Sequence, residues 1–489
     1  MVAMVEETPK VQLGRRLTRC LYREWLLDPS FPPPWRTTGL VGGAVRPNHK
    51  TLAIYLLGVF IGALDMNVLG PAFPAISRSF HIDFAVTAWA ITTYSIAYVA
   101  STALSGGWGD RMGHRRVFRL GVGLFGIASL LAALSPNWAV FLLARVVQGA
   151  GAGAVYPNAQ AEGIQQFPAA KRGMALGIFG AVFGVASIIG PNLGGALTQF
   201  WGWPTIFLIN VPLALLVLMS ARGLPTSLAN PERDIPDWVG GVAFAMVLAA
   251  GLLAISGHSW GFRLVFLALA LLAAGGFAYR QRTAPTPFLD ARPLVNRVGI
   301  LLILGAAVIG LDMSSAVFVP ALAQHTFGIG PLASGAALMP AAGAGALLSG
   351  AGGMMTDRMG ARLVLMLGLL SAAGGALLLA STPLTWPRFI LAMMLFGVGT
   401  AFTVGAPINK LGLSLYRENQ AAEALALTAV FRSVGVAAGP IVLTMAEAWH
   451  GFRGMYGAVA VASVLGVILF SRVPNRRIPT TEPSTSSQA

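Results

Sequence analysis

Charge is scarce in this chain. Of its 489 residues only 10% are Asp, Glu, Lys or Arg, against roughly 25% in a soluble protein of this length. There is one cysteine, Cys20, so an intrachain disulfide is excluded. There are four lysines, Lys10, Lys50, Lys171 and Lys410, and none follows a glycine. A Walker A loop is therefore absent, and ATP-driven work by this chain alone is not expected. The six histidines are scattered without metal-ligand spacing, so no metal, no cofactor and no enzymatic activity are expected. QGAGAG at Gln148–Gly153 lacks both the strand and the GxGxxG spacing of a dinucleotide site. Helix packing accounts for it better. The chain also lacks a charged-then-apolar opening, so no cleaved signal peptide is expected, and the first span would serve as its own insertion signal.

What is abundant is apolar sequence, 55% of the residues. A hydrocarbon core of ~30 Å needs about 20 helical residues to cross it. Fourteen runs of that length lie between about Thr51 and Arg472. The 59 glycines and 30 prolines fit this setting, because small residues let membrane helices approach and neighbours satisfy carbonyls freed by Pro. The net charge of +15 would suggest nucleic acid in a soluble protein. Here its distribution decides: with both termini cytoplasmic, 27 of the 33 Lys and Arg fall on that side and only Arg78, Arg263, Arg388 and Arg453 on the other. The positive-inside rule then sets the orientation in a cell (inner or plasma) membrane, and no nucleic-acid partner is expected.

The chain repeats itself. GGWGDRMGHRR at Gly106–Arg116 recurs as GGMMTDRMGAR at Gly352–Arg362, with Asp110 and Asp357 247 residues apart. Forty-five residues before each lies a Leu-Asp-Met, at Asp65 and Asp312. Gly149 and Gly151 recur as Gly397 and Gly399, and Gly190-Pro191 as Gly439-Pro440. Landmarks in one order at a nearly constant offset indicate a parallel duplication of a membrane bundle, the build of many transporters.

The expected organisation follows. Residues 1–49 form a basic cytoplasmic arm, with Leu13, Leu17, Leu21 and Trp25 opposite Arg15, Arg16, Arg19 and Arg23; it is either a helix lying on an anionic leaflet or an unstructured arm. Spans 1 to 6 occupy 50–222, a polar linker 223–237, an inserted two-span hairpin 238–280, a cytoplasmic connector 281–297, and spans 9 to 14 298–472. The Pro- and Ser-rich tail, 473–489, is expected to be disordered.

Residues 50 to 470 resemble the major facilitator superfamily, and within it the 14-span drug:proton antiporters. Gly106, Asp110, Arg111, Gly113, Arg115 and Arg116 are similar to the family's loop 2–3 motif. Arg145, Gln148, Gly149 and Gly151 resemble its span 4 motif. Gly180, Gly184, Gly190, Pro191, Gly194 and Gly195 resemble its span 5 antiporter motif, and DMNVLGPAFP from Asp65 its span 1 motif. Asn67, Gly70 and His114 stand where the family usually has Thr, Asn and a basic residue. The resemblance implies an all-α membrane protein of two six-helix bundles plus two inserted helices, fourteen transmembrane helices in all.

Asp65 sits about fifteen residues into span 1, where a carboxylate costs ~2.5–3.5 kcal/mol on insertion scales. It is either a proton- or cation-binding acid, with Asn67 nearby, or one arm of a structural ion pair. Coupled export is expected to run through proton exchange at Asp65, with Asp312 second, and an Asp65 locked in a cluster without a route to water removes that case. Arg145 cannot give up its proton; the resemblance puts span 4 beside span 1, so Asp65 and Arg145, with Gln148, form an exchangeable pair or a static bridge. Asp312 is the pseudo-symmetric acid of span 9, with Met393 near the place that Arg145 holds in the other repeat. It is a second proton or cation site, or a residue of a wet cavity. Asp110 can cap a neighbouring helix in one state and release it in another. The resemblance implies a conformational switch comprising the loop 2–3 motif and its copy, Asp357 and Arg358, against the alternative of a topogenic basic loop. The span 5 glycines imply a tight seam sealing one side of the cavity, or ordinary packing. Arg432, within FRSVG, also resembles a family pattern, and packing against lipid head groups accounts for it equally well.

These residues lead to a monomeric proton-coupled exporter of amphiphilic or lipophilic compounds such as drugs, working by alternating access. Its partners are then a small amphiphile or lipid, protons and the bilayer. Two other readings stay open: a lipid or glycolipid exporter with Arg145 holding the head group, and a membrane sensor or scaffold that no longer transports.

Overall fold

The structure is a computed structural model and describes residues 49–167, 172–224, 229–231, 235–257, 259–288, 297–413 and 421–473. Residues 1–48 of the arm, 474–489 of the tail, part of the 281–297 connector and part of the 223–237 linker lie outside them. Among the described residues thirteen helices are long and apolar enough to cross a membrane. The last, Leu427–Ser471, has 45 residues and holds two spans, because His450 and Gly451 leave helical geometry and Gly451 takes a φ of 61°. Fourteen spans result, an all-α polytopic membrane protein.

Spans 1 to 6 are His49–Phe80, Phe84–Met112, His114–Ala133, Trp138–Gln165, Ile178–Trp201 and Thr205–Gly223. Spans 7 and 8 are Trp238–Ser256 and Trp260–Thr283. Spans 9 to 12 are Arg297–Phe327, Pro331–Met359, Ala361–Ala380 and Trp386–Leu413; spans 13 and 14 are 427–449 and 452–471. Several begin where their sequence supplies a cap. Asn137 accepts from Val140 N at 3.0 Å, Asp237 from Gly240 N at 3.0 Å and Ser259 from Phe262 N at 3.2 Å, each satisfying an amide that the first turn leaves open. Spans 2 and 10 both stop at a glycine with positive φ, Gly113 at 93° and Gly360 at 91°, a backbone region that a side chain disfavours. The same punctuation at the same place in both repeats turns the chain back through the membrane.

Within a bundle, glycine sets how close helices come. A Cβ at Gly149 would fall on the Tyr94 carbonyl, one at Gly153 on that of Tyr98, and one at Gly151 would press on Phe125 N at 2.7 Å. Span 4 thus touches span 2 on one face and span 3 on another. Gly397 and Gly399 repeat this against span 10 and span 11.

The apolar core has three parts, and their make-up reveals the shape. One cluster mixes the two bundles, joining Val68, Phe73 and Phe207 to Phe318, Ile441 and Tyr456. The second draws only on residues 52–224 and the third only on 301–473. The bundles therefore share a core at one end, the arginine-poor end, and part at the other, where Arg111–Arg119 and Arg358–Arg362 lie. The closed end is sealed by rings, with Phe73–Phe318 centroids at 5.3 Å and Phe84–Phe452 at 5.7 Å. Gln324 donates across it to the Pro71 carbonyl at 3.0 Å, and Thr92 to the Ala437 carbonyl at 3.0 Å.

The inserted hairpin docks by span 7, whose Gly241 lies against Leu104 of span 2. Span 8 is almost wholly exposed, with Leu271 and Leu272 at its surface, as a helix facing lipid is. Arg280 joins the two spans through Asp237 at 2.8 Å.

Candidate functional site: two buried acids and a chamber

Asp65 is brought to the middle of the first bundle by span 1 and is 1% exposed. Its Oδ2 accepts from Arg145 Nη1 at 2.7 Å. Its Oδ1 accepts from Gln148 Nε2 at 2.9 Å and from Asn210 Nδ2 at 2.9 Å. The cluster extends outward: Gln148 Nε2 also donates to Ser129 Oγ at 2.8 Å, Arg145 Nη1 to Gln148 Oε1 at 2.5 Å, and Arg145 Nε to the Ala90 carbonyl at 3.0 Å. The guanidinium lies over the Tyr94 ring at 4.2 Å. Arg145 and Gln148 stand three residues apart on one helix face, which is why one span delivers both. Both carboxylate oxygens are engaged and the charge is neutralised. In this conformation Asp65 has no path to water, the arrangement of the static bridge. Asn210 and Ser129 carry no motif. Their only sequence signal is a polar side chain inside an apolar run.

Asp312 occupies the equivalent place in the second bundle and is 9% exposed. Its surroundings differ. Oδ2 accepts from Ser463 Oγ at 3.0 Å, whereas Oδ1 is buried without a hydrogen-bond partner. Among the described residues no cation pairs with it. The reason is visible in the repeat: Met393, 1% exposed, stands where Arg145 does, and span 14 supplies a hydroxyl where span 6 supplies the Asn210 amide. A buried carboxylate needs donors or a counter-charge; Asp312 has one neutral donor.

Where the core no longer joins the two bundles, the space between them forms a chamber. Its wall on the first bundle carries a small recess lined by Gly62, Met66, Tyr98, Tyr156 and Phe183 among others. Asn67, one residue beyond Met66, turns away, its amide donating to the Ala63 carbonyl at 2.7 Å while its Cβ faces Gly190.

Span 5 seals the chamber only at the arginine-poor end. A Cβ at Gly190 would press on Asn67, one at Gly194 on the Val68 carbonyl, and one at Gly195 on the Pro331 carbonyl of the other bundle. Pro191 meets Gly335 through its carbonyl. Gly180 and Gly184 have open space around them. The seam expected along the whole motif is thus confined in this state to residues 190–195.

At the arginine-rich end Asp110 Oδ1 pairs with His114 Nε2 at 3.3 Å, and His114 Nδ1 lies 2.8 Å from Asn158 Oδ1 in span 4. The Asp110 carbonyl accepts from Asn230 N at 3.0 Å, tying the linker to the motif. A Cβ at Gly107 would press on Pro236 of the same linker; one at Gly106 would meet nothing. Arg115 donates to the Arg222 carbonyl at 2.6 Å, at the end of span 6, and Arg362 to the Val473 carbonyl at 3.0 Å, just past the end of span 14. The two repeats use an arginine identically, binding the loop to its own bundle through the electronegative end of a helix. Arg362 was not singled out by the motif. Asp357 pairs with Lys410, and both side chains are exposed.

Comparison with known proteins agrees with this architecture. The model of the Major Facilitator Superfamily matches residues 55–237, 238–440 and 302–489. An uncharacterized MFS-type transporter of Bacillus subtilis, YfiU, is 30% identical over 405 residues, covering 80% of this chain and 78% of its own. The tetracenomycin C resistance and export protein of Streptomyces glaucescens is 33% identical, covering 71% and 65%. The multidrug resistance protein Stp of Mycobacterium tuberculosis is 29% identical, covering 83% and 77%. Among solved structures, a partially occluded inward-open xylose transporter XylE of E. coli matches with a TM-score of 0.59 at 16% identity, covering 88% of this chain and 100% of its own. A POT family transporter matches with a TM-score of 0.64 at 16% identity, covering 88% and 96%. With duplicated bundles, fourteen spans and matching polar turns already in view, the chain belongs to the major facilitator superfamily of membrane transporters.

Proposed function

We propose that the chain is a proton-coupled exporter of amphiphilic or lipophilic compounds, with both termini cytoplasmic in the plasma (inner) membrane and Asp312 as the proton carrier. On this reading the arginine-rich end is cytoplasmic and the conformation faces inward. The two bundles, 50–222 and 298–472, rock about the chamber, with the 238–280 hairpin riding on span 2. The observation that carries the proposal is the contrast between the two acids. Asp65 is neutralised by Arg145 and sealed, while Asp312 lies buried with one hydroxyl donor and an oxygen that nothing holds. The second arrangement suits a neutral carboxylic acid, and ionising it without a counter-charge is costly. Span 9, which carries Asp312, packs directly on span 13. Cβ atoms at Gly310 and Gly435 would fall on the carbonyls of Arg432 and Ala307, so spans 9 and 13 touch backbone to backbone. Each proton entering releases about 2.3 kcal/mol per 100 mV of membrane potential, plus the pH gradient. Two relatives whose names state resistance or export support export over import. The lipid-exporter reading relied on Arg145 for a head group, and Arg145 is 1% exposed and committed to Asp65.

The test is efflux of a panel of amphiphilic fluorescent dyes from proteoliposomes under an imposed pH gradient. Efflux that accelerates with the gradient and collapses with a protonophore supports the reading; efflux indifferent to both contradicts it.

A further inference from the structure

Two arginines, Arg145 and Arg432, lie deep within the spans, and the fold treats them differently. Arg145 has a carboxylate, two further hydrogen-bonding partners and an aromatic face. Arg432 of span 13 has no ion pair and no side-chain hydrogen bond among the described residues. A guanidinium keeps its charge wherever it sits, so an intramembrane one without a partner is a charge left open. Its residue is half-buried where span 13 packs on span 2, whose Thr92 donates to the Ala437 carbonyl at 3.0 Å.

Its place is fixed from both sides. Gly310 of span 9 lies against its carbonyl, leaving the helix no slack. The groups within electrostatic reach of the guanidinium are Tyr98 and Tyr156, from the opposite bundle and both lining the recess. The repeat adds a second observation. Counting from Gly439-Pro440 back to Gly190-Pro191, Arg432 corresponds to Phe183, which also lines the recess and stands edge-on to Tyr156 at 5.4 Å. The recess is thus aromatic, and a cation of the facing bundle lies within electrostatic reach of its two tyrosines. Tyr98 stacks on Tyr94 at 6.2 Å, and Tyr94 carries Arg145 over its ring, so the aromatic wall leads directly to the Asp65 cluster.

We propose that Arg432 is the anion-binding point of the chamber. It would hold the carboxylate, sulfonate or phosphate of an amphiphile whose apolar body lies against Tyr98, Tyr156 and Phe183. This deepens, and rests on, the reading of the chamber as the cargo site, and it assigns that cargo an acidic head group. A fork of guanidinium N–H groups matches such oxygens in pairs, and dry aromatic walls strengthen the attraction.

The experiment is equilibrium binding by titration calorimetry to the full-length protein in phosphatidylcholine nanodiscs. The probes are 1-naphthoate and 1-naphthamide, nearly equal in shape and differing in charge. The wild type should prefer the naphthoate by about tenfold or more, the scale of a hydrogen bond to a charged group. Arg432→Gln should lower that ratio to about one with little change for the naphthamide, and Arg432→Lys should keep part of it. Because the ratio is internal to each variant, partial unfolding does not produce it. A wild type without preference, or an Arg432→Gln variant that keeps it, overturns the proposal. Binding of neither probe overturns the cargo-site reading as well, whereas equal binding of both removes only the role of Arg432. Repeating the titration with phosphatidylglycerol in the discs separates two sources of the anion. Competition in the wild type assigns the head group to the bilayer, and an unchanged affinity assigns it to a soluble amphiphile; both results keep the anion site.

Discussion

Removing Arg145 while leaving Asp65 is the sharpest perturbation of the first bundle. In Arg145→Met the carboxylate keeps the amides of Gln148 and Asn210 but loses its counter-charge at 2.7 Å, at 1% exposure. Breaking a buried pair from one side costs about 3–5 kcal/mol, and the Ala90 carbonyl loses a donor worth about 1 kcal/mol more. The converse change is milder. In Asp65→Asn the guanidinium keeps Gln148 Oε1, the Ala90 carbonyl and the Tyr94 face, so about 1–3 kcal/mol is expected. The double variant Asp65→Asn, Arg145→Met buries no charge at all and should recover to within about 2 kcal/mol of the wild type. The assay is denaturant unfolding of the purified protein in one detergent, all four proteins side by side. An Arg145→Met variant as stable as the wild type, or a double variant no more stable than Arg145→Met, refutes the claim that this ion pair is the charge-neutral heart of the bundle.

Other outcomes follow from the same geometry. Gly195→Ala puts a methyl on the Pro331 carbonyl of the other bundle and should destabilise the closed arginine-poor end by about 1–3 kcal/mol; Gly180→Ala, with open space around it, should change nothing. Spin-label distances between residues 84 and 452 across that end read the difference. The Asp357–Lys410 pair is exposed, so Asp357→Asn should shift the unfolding midpoint by less than about 1 kcal/mol; a larger loss would assign it a load that the structure does not give it. His114→Ala removes the link between Asp110 and Asn158 and should cost about 1–2 kcal/mol in the same assay.

Much of this was legible in the sequence because membrane helices announce themselves by length, and a duplication by its offsets. The Asp65–Arg145 contact came instead from the family resemblance, which puts span 4 beside span 1. The thirteen-for-fourteen count of long helices has a local cause: spans 13 and 14 run together at His450–Gly451, where the turn lacks the polar run that usually marks a loop. Asn210, Ser129 and Ser463 were illegible, because a single hydroxyl or amide in an apolar run does not say which distant helix it meets. The span 5 motif was legible as a set of glycines but not as a division between Gly184 and Gly190. That division depends on which end of the chamber is shut, a property of one conformational state.

Proton release on cargo binding tests the central claim most directly. In weakly buffered detergent solution with a pH indicator, adding a dye shown to be exported should release protons from the wild type and from none of the same solution without protein. The account predicts that Asp312→Asn binds the dye and releases no protons. An Asp312→Asn variant that folds, binds the dye and still releases as many protons as the wild type contradicts it.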